Sequence, residues 1–185
     1  RCDVVTMSHH HADHDCLDSI VGAPTEIDVV GACAADDVAI NSLETFHDDQ
    51  QGSLRGKNLV FTFLVDGLKI AHLGDIGCLD ETVAKTLAGC DLLLIPVGGT
   101  YTIDHVGAKW YVDQIQPKIV VPMHYKFGTS KIDIAPVGAF LQQFDEQQIR
   151  HVGDTLNIYD LDEEAIVSSA TKVQSANTNN NGNIV

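Results

Sequence analysis

Basic residues are scarce in this chain: 11 Lys and Arg stand against 26 Asp and Glu, a formal charge of −15 over 185 residues. Nucleic-acid backbones are held by clustered Lys and Arg. The densest basic concentration here is Arg55-Gly56-Lys57, so no nucleic-acid partner is expected. No apolar run approaches the ~20 residues needed to cross a bilayer, and no signal peptide is visible, so no membrane partner is expected either. The five cysteines (Cys2, Cys16, Cys33, Cys78 and Cys90) are odd in number and include no C-x-x-C pair. That pattern argues against a disulfide framework and for a reducing, cytoplasmic home. An internal repeat is also lacking. A hydrophobic content of 44% is enough for one substantial core, which predicts a single domain over residues 1–170. Residues 171–185, with Asn179-Asn180-Asn181-Gly182-Asn183, are expected to be a disordered tail.

What the chain has in quantity is histidine, nine in all, concentrated in Ser8-His9-His10-His11-Ala12-Asp13-His14 after the strand-like Val4-Val5-Thr6. Within six residues, His9-x-His11-x-Asp13-His14 offers three imidazoles and a carboxylate, donors that suit a borderline cation such as zinc. On a loop after a strand this spacing lets the side chains converge. An affinity-tag remnant would have no reason to carry Asp13-His14 or to follow a buried strand. His10 alternates away from its neighbours and is expected outside the ligand set.

A metal centre needs further ligands, and three more apolar segments end in them. His47 lies where Thr45-Phe46 gives way to Asp48-Asp49, and His72-Leu73-Gly74-Asp75 closes Lys69-Ile70-Ala71. Gly74 would let the chain turn so that Asp75 points back. Ile119-Val120-Val121-Pro122-Met123 delivers His124. Singly, each is an ordinary strand end; together they place donors at one end of several strands.

This ordered set, with Thr45-Phe46-His47-Asp48-Asp49, Gly56-Lys57-Asn58, His-Leu-Gly-Asp, Ile95-Pro96-Val97-Gly98-Gly99-Thr100-Tyr101-Thr102, Gln116-Pro117-Lys118 and Pro-Met-His-Tyr, resembles the metallo-β-lactamase-fold hydrolases. Within them it is similar to the zinc-dependent hydrolases related to L-ascorbate 6-phosphate lactonase, over residues 3–145. The resemblance implies two divalent ions, zinc first with manganese or iron as alternatives. His9, His11 and His47 would hold one ion and Asp13, His14 and His124 the other, bridged by Asp75. Such a pair generates hydroxide near neutral pH and polarises the bond under attack, with Asp13 and Asp75 as catalytic residues and no serine nucleophile. Residue 11 is His where the oxygen-reducing diiron relatives have a carboxylate, which favours hydrolysis over redox chemistry. Relatives usually carry about thirty residues of strand ahead of the histidine loop, so the N-terminal strands are expected to be missing from this chain.

The hydropathy pattern predicts a short helix at 17–21 and strands at 26–30, 39–46, 59–65 and 69–73, with Asp66-Gly67 as a hairpin turn. It further predicts a helix from Asp80 to Leu87, a strand at 92–95, and a helix from Asp104 to Ile115 with Val106 and Trp110 on one face. A helix over 134–144 and a strand over 155–159 complete the pattern. The fold class is α/β (α+β), two face-to-face sheets with helices outside; the resemblance implies the αβ/βα four-layer sandwich.

Substrate-binding candidates are Arg55, suited to a phosphate or carboxylate, with Tyr101 and Tyr125. His72 is expected to support Asp75 from behind. Cys78 reads as a small hydrophobe, and His105 and His151 as surface residues. The leading function is a dinuclear hydrolase acting on a small ester, lactone or phosphorylated metabolite. Two alternatives stay open: a mononuclear iron oxygenase or redox relative of the same fold, and a metal-binding module without turnover.

Overall fold

The computed structural model describes residues 2–35, 37–152 and 155–158, and the backbone of 166–169. The strands are β1 (Val4–Thr6), β2 (Thr25–Ile27), β3 (Gly31–Ala35), β4 (Val38–Phe46), β5 (Lys57–Val65), β6 (Leu68–His72), β7 (Leu92–Pro96), β8 (Ile119–Met123), β9 (Ile149–His151) and β10 (Ile166–Ser169). The α-helices are α1 (Glu81–Leu87), α2 (His105–Ile115) and α3 (Gly138–Leu141). Strands β3 to β10 form one eight-stranded sheet in the order β3-β4-β5-β6-β7-β8-β10-β9, antiparallel from β3 to β6 and parallel thereafter. The turn at Asp66-Gly67 joins β5 to β6 with both φ angles positive, 51° and 79°, the backbone that a right-twisted two-residue hairpin requires. Strands β1 and β2 pair in parallel as a separate two-stranded sheet.

The period-two alternation of β5 separates two cores. Leu59 and Phe61 pack with Ile27 and Ile40, under Val4 and Phe63, and so join the small sheet to one face of the large one. Val60 points the other way, into a cluster with Leu73, Leu93, Ile95, Val83, Leu87, Tyr111 and Phe140 that seats the helices. Asp80 caps α1 by accepting from the Thr82 and Val83 N–H groups, and Asp104 caps α2 by accepting from Val106 and Gly107, satisfying donors that have no partner inside the helix.

Several elements differ from expectation. The segment between β1 and β2 makes only a 3₁₀ turn, Leu17–Ser19, in place of a helix at 17–21. Gly22 at φ 124° and Pro24 then end any regular structure. Strand β2 stops at Ile27, short of the predicted 30. The helix predicted over 134–144 shrinks to α3: Pro136 disfavours the helical conformation at Ala135, although Val137, Phe140, Leu141 and Phe144 still reach the core. The buried stripe of α2 is Ala108, Tyr111, Val112 and Ile115, while Val106 is 61% exposed. Residues 155–158 are not strand, Tyr159 lies outside the described residues, and the strand next to β8 is instead β10. The predicted tail at 171–185 also lies outside the described residues. Among those residues no helix is long and apolar enough to cross a membrane, and all five thiols are free.

Candidate metal centre

Three chain segments deliver histidines to one carboxylate oxygen, Oδ2 of Asp75. The Nε2 atoms of His47, His14 and His124 lie 3.4, 3.5 and 3.5 Å from it, and that of His9 3.9 Å. His9, His11 and His47 can each present a donor atom within 4.8 Å of the others, as can His9, His14 and Asp75. Zinc–nitrogen bonds of about 2.0–2.1 Å at tetrahedral angles put neighbouring donors roughly 3.4 Å apart, so these separations match donors sharing a cation. His9 Nε2 is buried with no hydrogen-bond partner. A buried polar atom of this kind is costly to leave unsatisfied, and a cation would satisfy it. His9, His47 and Asp75 are buried, His14 and His124 half-buried, and His11 and Asp13 exposed, so the cluster has a closed floor and an open rim. Asp13 stands on that rim, its Oδ2 3.8 Å from His14 Nε2 and its side chain 78% exposed.

Each ligand loop is fixed from behind. Ser8 Oγ bonds His9 Nδ1 at 2.9 Å, which leaves Nε2 to face the cluster, and the Ser8 carbonyl accepts from the Leu59 N–H at 2.7 Å. Asn58, fully buried, donates from Nδ2 to the Leu73 carbonyl and accepts at Oδ1 from the Asp75 N–H, 2.9 and 2.8 Å. Gly74 turns between them at φ 56°; a β-carbon there would sit 2.4 Å from Asn58 Oδ1 and 2.7 Å from Ser8 Cβ. The Gly74 N–H donates to His72 Nδ1 at 3.0 Å, so His72 holds the same turn from inside the sheet. Gly77 and Gly98 admit the backbones of His47 and His124, which a β-carbon would meet at 2.3 and 2.1 Å. His124 itself takes φ 52°, a left-handed conformation that costs a non-glycine residue roughly 1–2 kcal/mol and that the loop packing must sustain.

The loop 47–56 between β4 and β5 is organised by Asp48. Its Oδ1 accepts from the Gln50 and Gly52 N–H groups (2.8 and 2.9 Å), and its Oδ2 from Leu54 and Arg55 (3.0 and 2.7 Å). Burial alone would raise its pKa; the four N–H donors outweigh that and hold the carboxyl below the ordinary 3.8. A depressed carboxyl stabilises the fold above its unfolded value and loses that contribution as acid carries the protein through the folded value. Asp48→Ala should therefore lower Tm at pH 7, and the gap from the unaltered protein should narrow as the pH falls from the ordinary carboxyl value through the lower folded one. Thermal melts across pH measure this.

Within the cluster, burial followed by the charge of His14 lowers the His9 pKa to about 4. His9 is thus neutral at pH 7, with the free lone pair a ligand needs. Burial would lower His47 and raise Asp75, but their mutual hydrogen bond reverses both: His47 is raised, while Asp75, with His124 and His14 also nearby, is lowered. Burial lowers His72.

The remaining predicted residues divide. Arg55 and Tyr101 meet at the mouth, the guanidinium carbon 5.6 Å from the ring centre. Tyr125, partly buried, packs against the helix-side core, and burial raises its pKa. His10 turns outward to Asp15 and Asp28. His105 opens α2 half-buried, and His151 is exposed. Cys78 approaches Thr45 Oγ1 at 3.4 Å, behind the ligands. Asp48, Asn58 and Ser8 had no role assigned from sequence. A buried polar residue one position from, or directly facing, a ligand strand was the available signal.

A profile described as β-lactamase superfamily domain matches residues 1–124. The chain belongs to this superfamily. Among relatives in the superfamily, a UPF0173 metal-dependent hydrolase of Lysinibacillus sphaericus is 26% identical, covering 85% of this chain and 82% of its own. One from Archaeoglobus fulgidus is 25% identical over 68% and 67%. A crystal structure from Thermotoga maritima, assigned to the Zn-dependent hydrolases of the metallo-β-lactamase superfamily, superposes with TM-score 0.76 at 38% identity over 90% of this chain and 80% of that one. The metallo-β-lactamase fold is thereby shown. A β-hydroxylase, CmlA, shares the fold at TM-score 0.60 and 12% identity, over 90% of this chain and 44% of its own, so members with this fold carry more than one chemistry.

Proposed function

We propose that the chain is a metal-dependent hydrolase working with two divalent cations, zinc foremost, on a small ester, lactone or phosphorylated metabolite in a reducing cytoplasm. The observation that carries this reading is the convergence of His9, His14, His47 and His124 on one oxygen of Asp75, with His11 completing a second triad. His9, His11 and His47 would hold one ion, and His14 and His124, with Asp13, the other; the shared carboxylate is Asp75. When bound, the cations supply Lewis acidity and bring the pKa of a water towards neutrality. The chain's own residues do the rest. Ser8 and Asn58 aim His9 and Asp75, and Asp13, exposed on the rim beside His14, would take a proton from a water. The residues that flank Asp75 carry no serine or cysteine aimed into the cluster among the contacts of the described residues, and Cys78 is turned towards Thr45 and Phe46.

Chelation tests the reading. Removing divalent ions from the purified protein should lower Tm, because a ligand bound only by the folded state stabilises it by mass action, and should abolish turnover in a screen of lactones, phosphodiesters and thioesters. Elemental analysis should give two ions per chain. Iron at one per chain with oxygen-dependent turnover would favour the oxygenase, and a chelated protein that melts unchanged would remove the metal centre altogether.

A further inference from the structure

Resting on that reading, we propose that the substrate carries an anionic group, a phosphate or a carboxylate, seated on Arg55. A cleft of about 500 Å³ opens beside the metal cluster, its lining including His9, His11, Arg55, Gly56 and Lys57 together with the carboxylates of Asp28 and Glu44. Among the described residues four lysines pair with carboxylates, Lys57 with Glu44, Lys85 with Glu81, Lys109 with Asp113 and Lys118 with Asp91. Arg55 has no such partner. Its one side-chain hydrogen bond runs from Nη2 to the Thr100 carbonyl at 3.1 Å, and its plane rests over the Tyr101 ring. A guanidinium has five N–H donors, so among the described residues four have no protein acceptor.

The surroundings fix this charge in place. The Arg55 N–H is one of the four donors tied to the Asp48 carboxylate, the Thr100 carbonyl is presented from a left-handed backbone at φ 61°, and the aromatic face favours the planar cation. A flexible solvated arginine needs none of these supports. A half-buried guanidinium that keeps most of its donors beside a metal cluster is built for bidentate recognition of an oxyanion. It would hold the anionic end of the substrate while the bond to be cleaved lies over the ligands. Lys57 lines the same cleft, but Glu44 at 2.9 Å already neutralises it.

The test uses the full, metal-loaded chain and three matched aryl esters of one acid skeleton: neutral, carboxylated and phosphorylated. Titration calorimetry with inorganic phosphate runs alongside. The expected result is a preference for one of the charged esters. Arg55→Ala should raise its KM at least tenfold with kcat little changed, leaving the neutral ester's KM where it was; Arg55→Lys should recover part of the loss. Lys57→Ala should leave the preference intact. Whichever charged ester is preferred distinguishes phosphate from carboxylate. Equal turnover of neutral and charged esters by the unaltered protein, or a parallel loss on all three in Arg55→Ala, overturns the inference. If no ester is turned over, the hydrolase reading has failed and calorimetry decides separately: phosphate binding weakened at least tenfold by Arg55→Ala supports the anion seat, and unchanged binding overturns it.

Discussion

Replacing Asp75 by Asn is expected to lower kcat/KM by more than the 10–100-fold typical of a residue that only orients a ligand, and to reduce metal content at both positions. The amide keeps the shape of the side chain and its neighbours' packing but removes the negative charge on which His9, His14, His47 and His124 converge. An uncharged oxygen is a poor bridge between two dications, so both ions lose a ligand at once. Elemental analysis and turnover should therefore fall together. His11→Ala supplies the contrast: His11 belongs to the triad with His9 and His47 alone, so it should deplete one ion and spare the other. If Asp75→Asn retains its full complement of metal, the carboxylate is not shared and the dinuclear arrangement is wrong.

Gly74→Ala should be strongly destabilising. The residue sits at φ 56°, and the new β-carbon would lie 2.4 Å from Asn58 Oδ1, 2.7 Å from Ser8 Cβ and 3.0 Å from the Leu59 carbonyl, where none can retreat without releasing a ligand loop. Backbone strain of roughly 1–2 kcal/mol combines with overpacking of typically about 1–3 kcal/mol. A total near 3 kcal/mol lowers Tm by roughly 6–12 °C in a domain of this size. Gly89→Ala isolates the first contribution, since Gly89 has nearly the same φ, 65°, and nothing within 4 Å of a β-carbon; its Tm should fall by only a few degrees. Equal melting of the two variants would show that the crowding around Gly74 is relieved at no cost.

Much of this arrangement could be read from residues alone where chemistry and local pattern coincide. His9, His11 and His14 are conspicuous because clustered imidazoles after a strand have few other uses, and Asp75 because a glycine frees the turn before it. The helices α1 and α2 were legible from Asp80 and Asp104, whose caps act within three residues. What escaped depends on contacts distant in sequence. Strand β3, Gly31–Ala35, is small and mostly exposed and has no hydrophobic alternation to announce it; it exists because β4 pairs with it. Asn58 reads as an ordinary polar residue at the start of β5 until Leu73 and Asp75 are brought against it.

The distance along the chain between the first and last ligands bears on how the right ion is acquired. During synthesis His9, His10, His11 and His14 leave the ribosome long before His124, and the nascent segment is by itself an open peptide chelator. In that state selection follows intrinsic affinity, which among divalent first-row ions peaks at copper. Only after β6, β7 and β8 have been joined through α1 and α2 does the geometry around Asp75 exist to discriminate by shape and coordination number. On the proposed reading, a protein made in copper-rich medium and one loaded after folding are expected to differ in metal content, which elemental analysis of the two preparations checks.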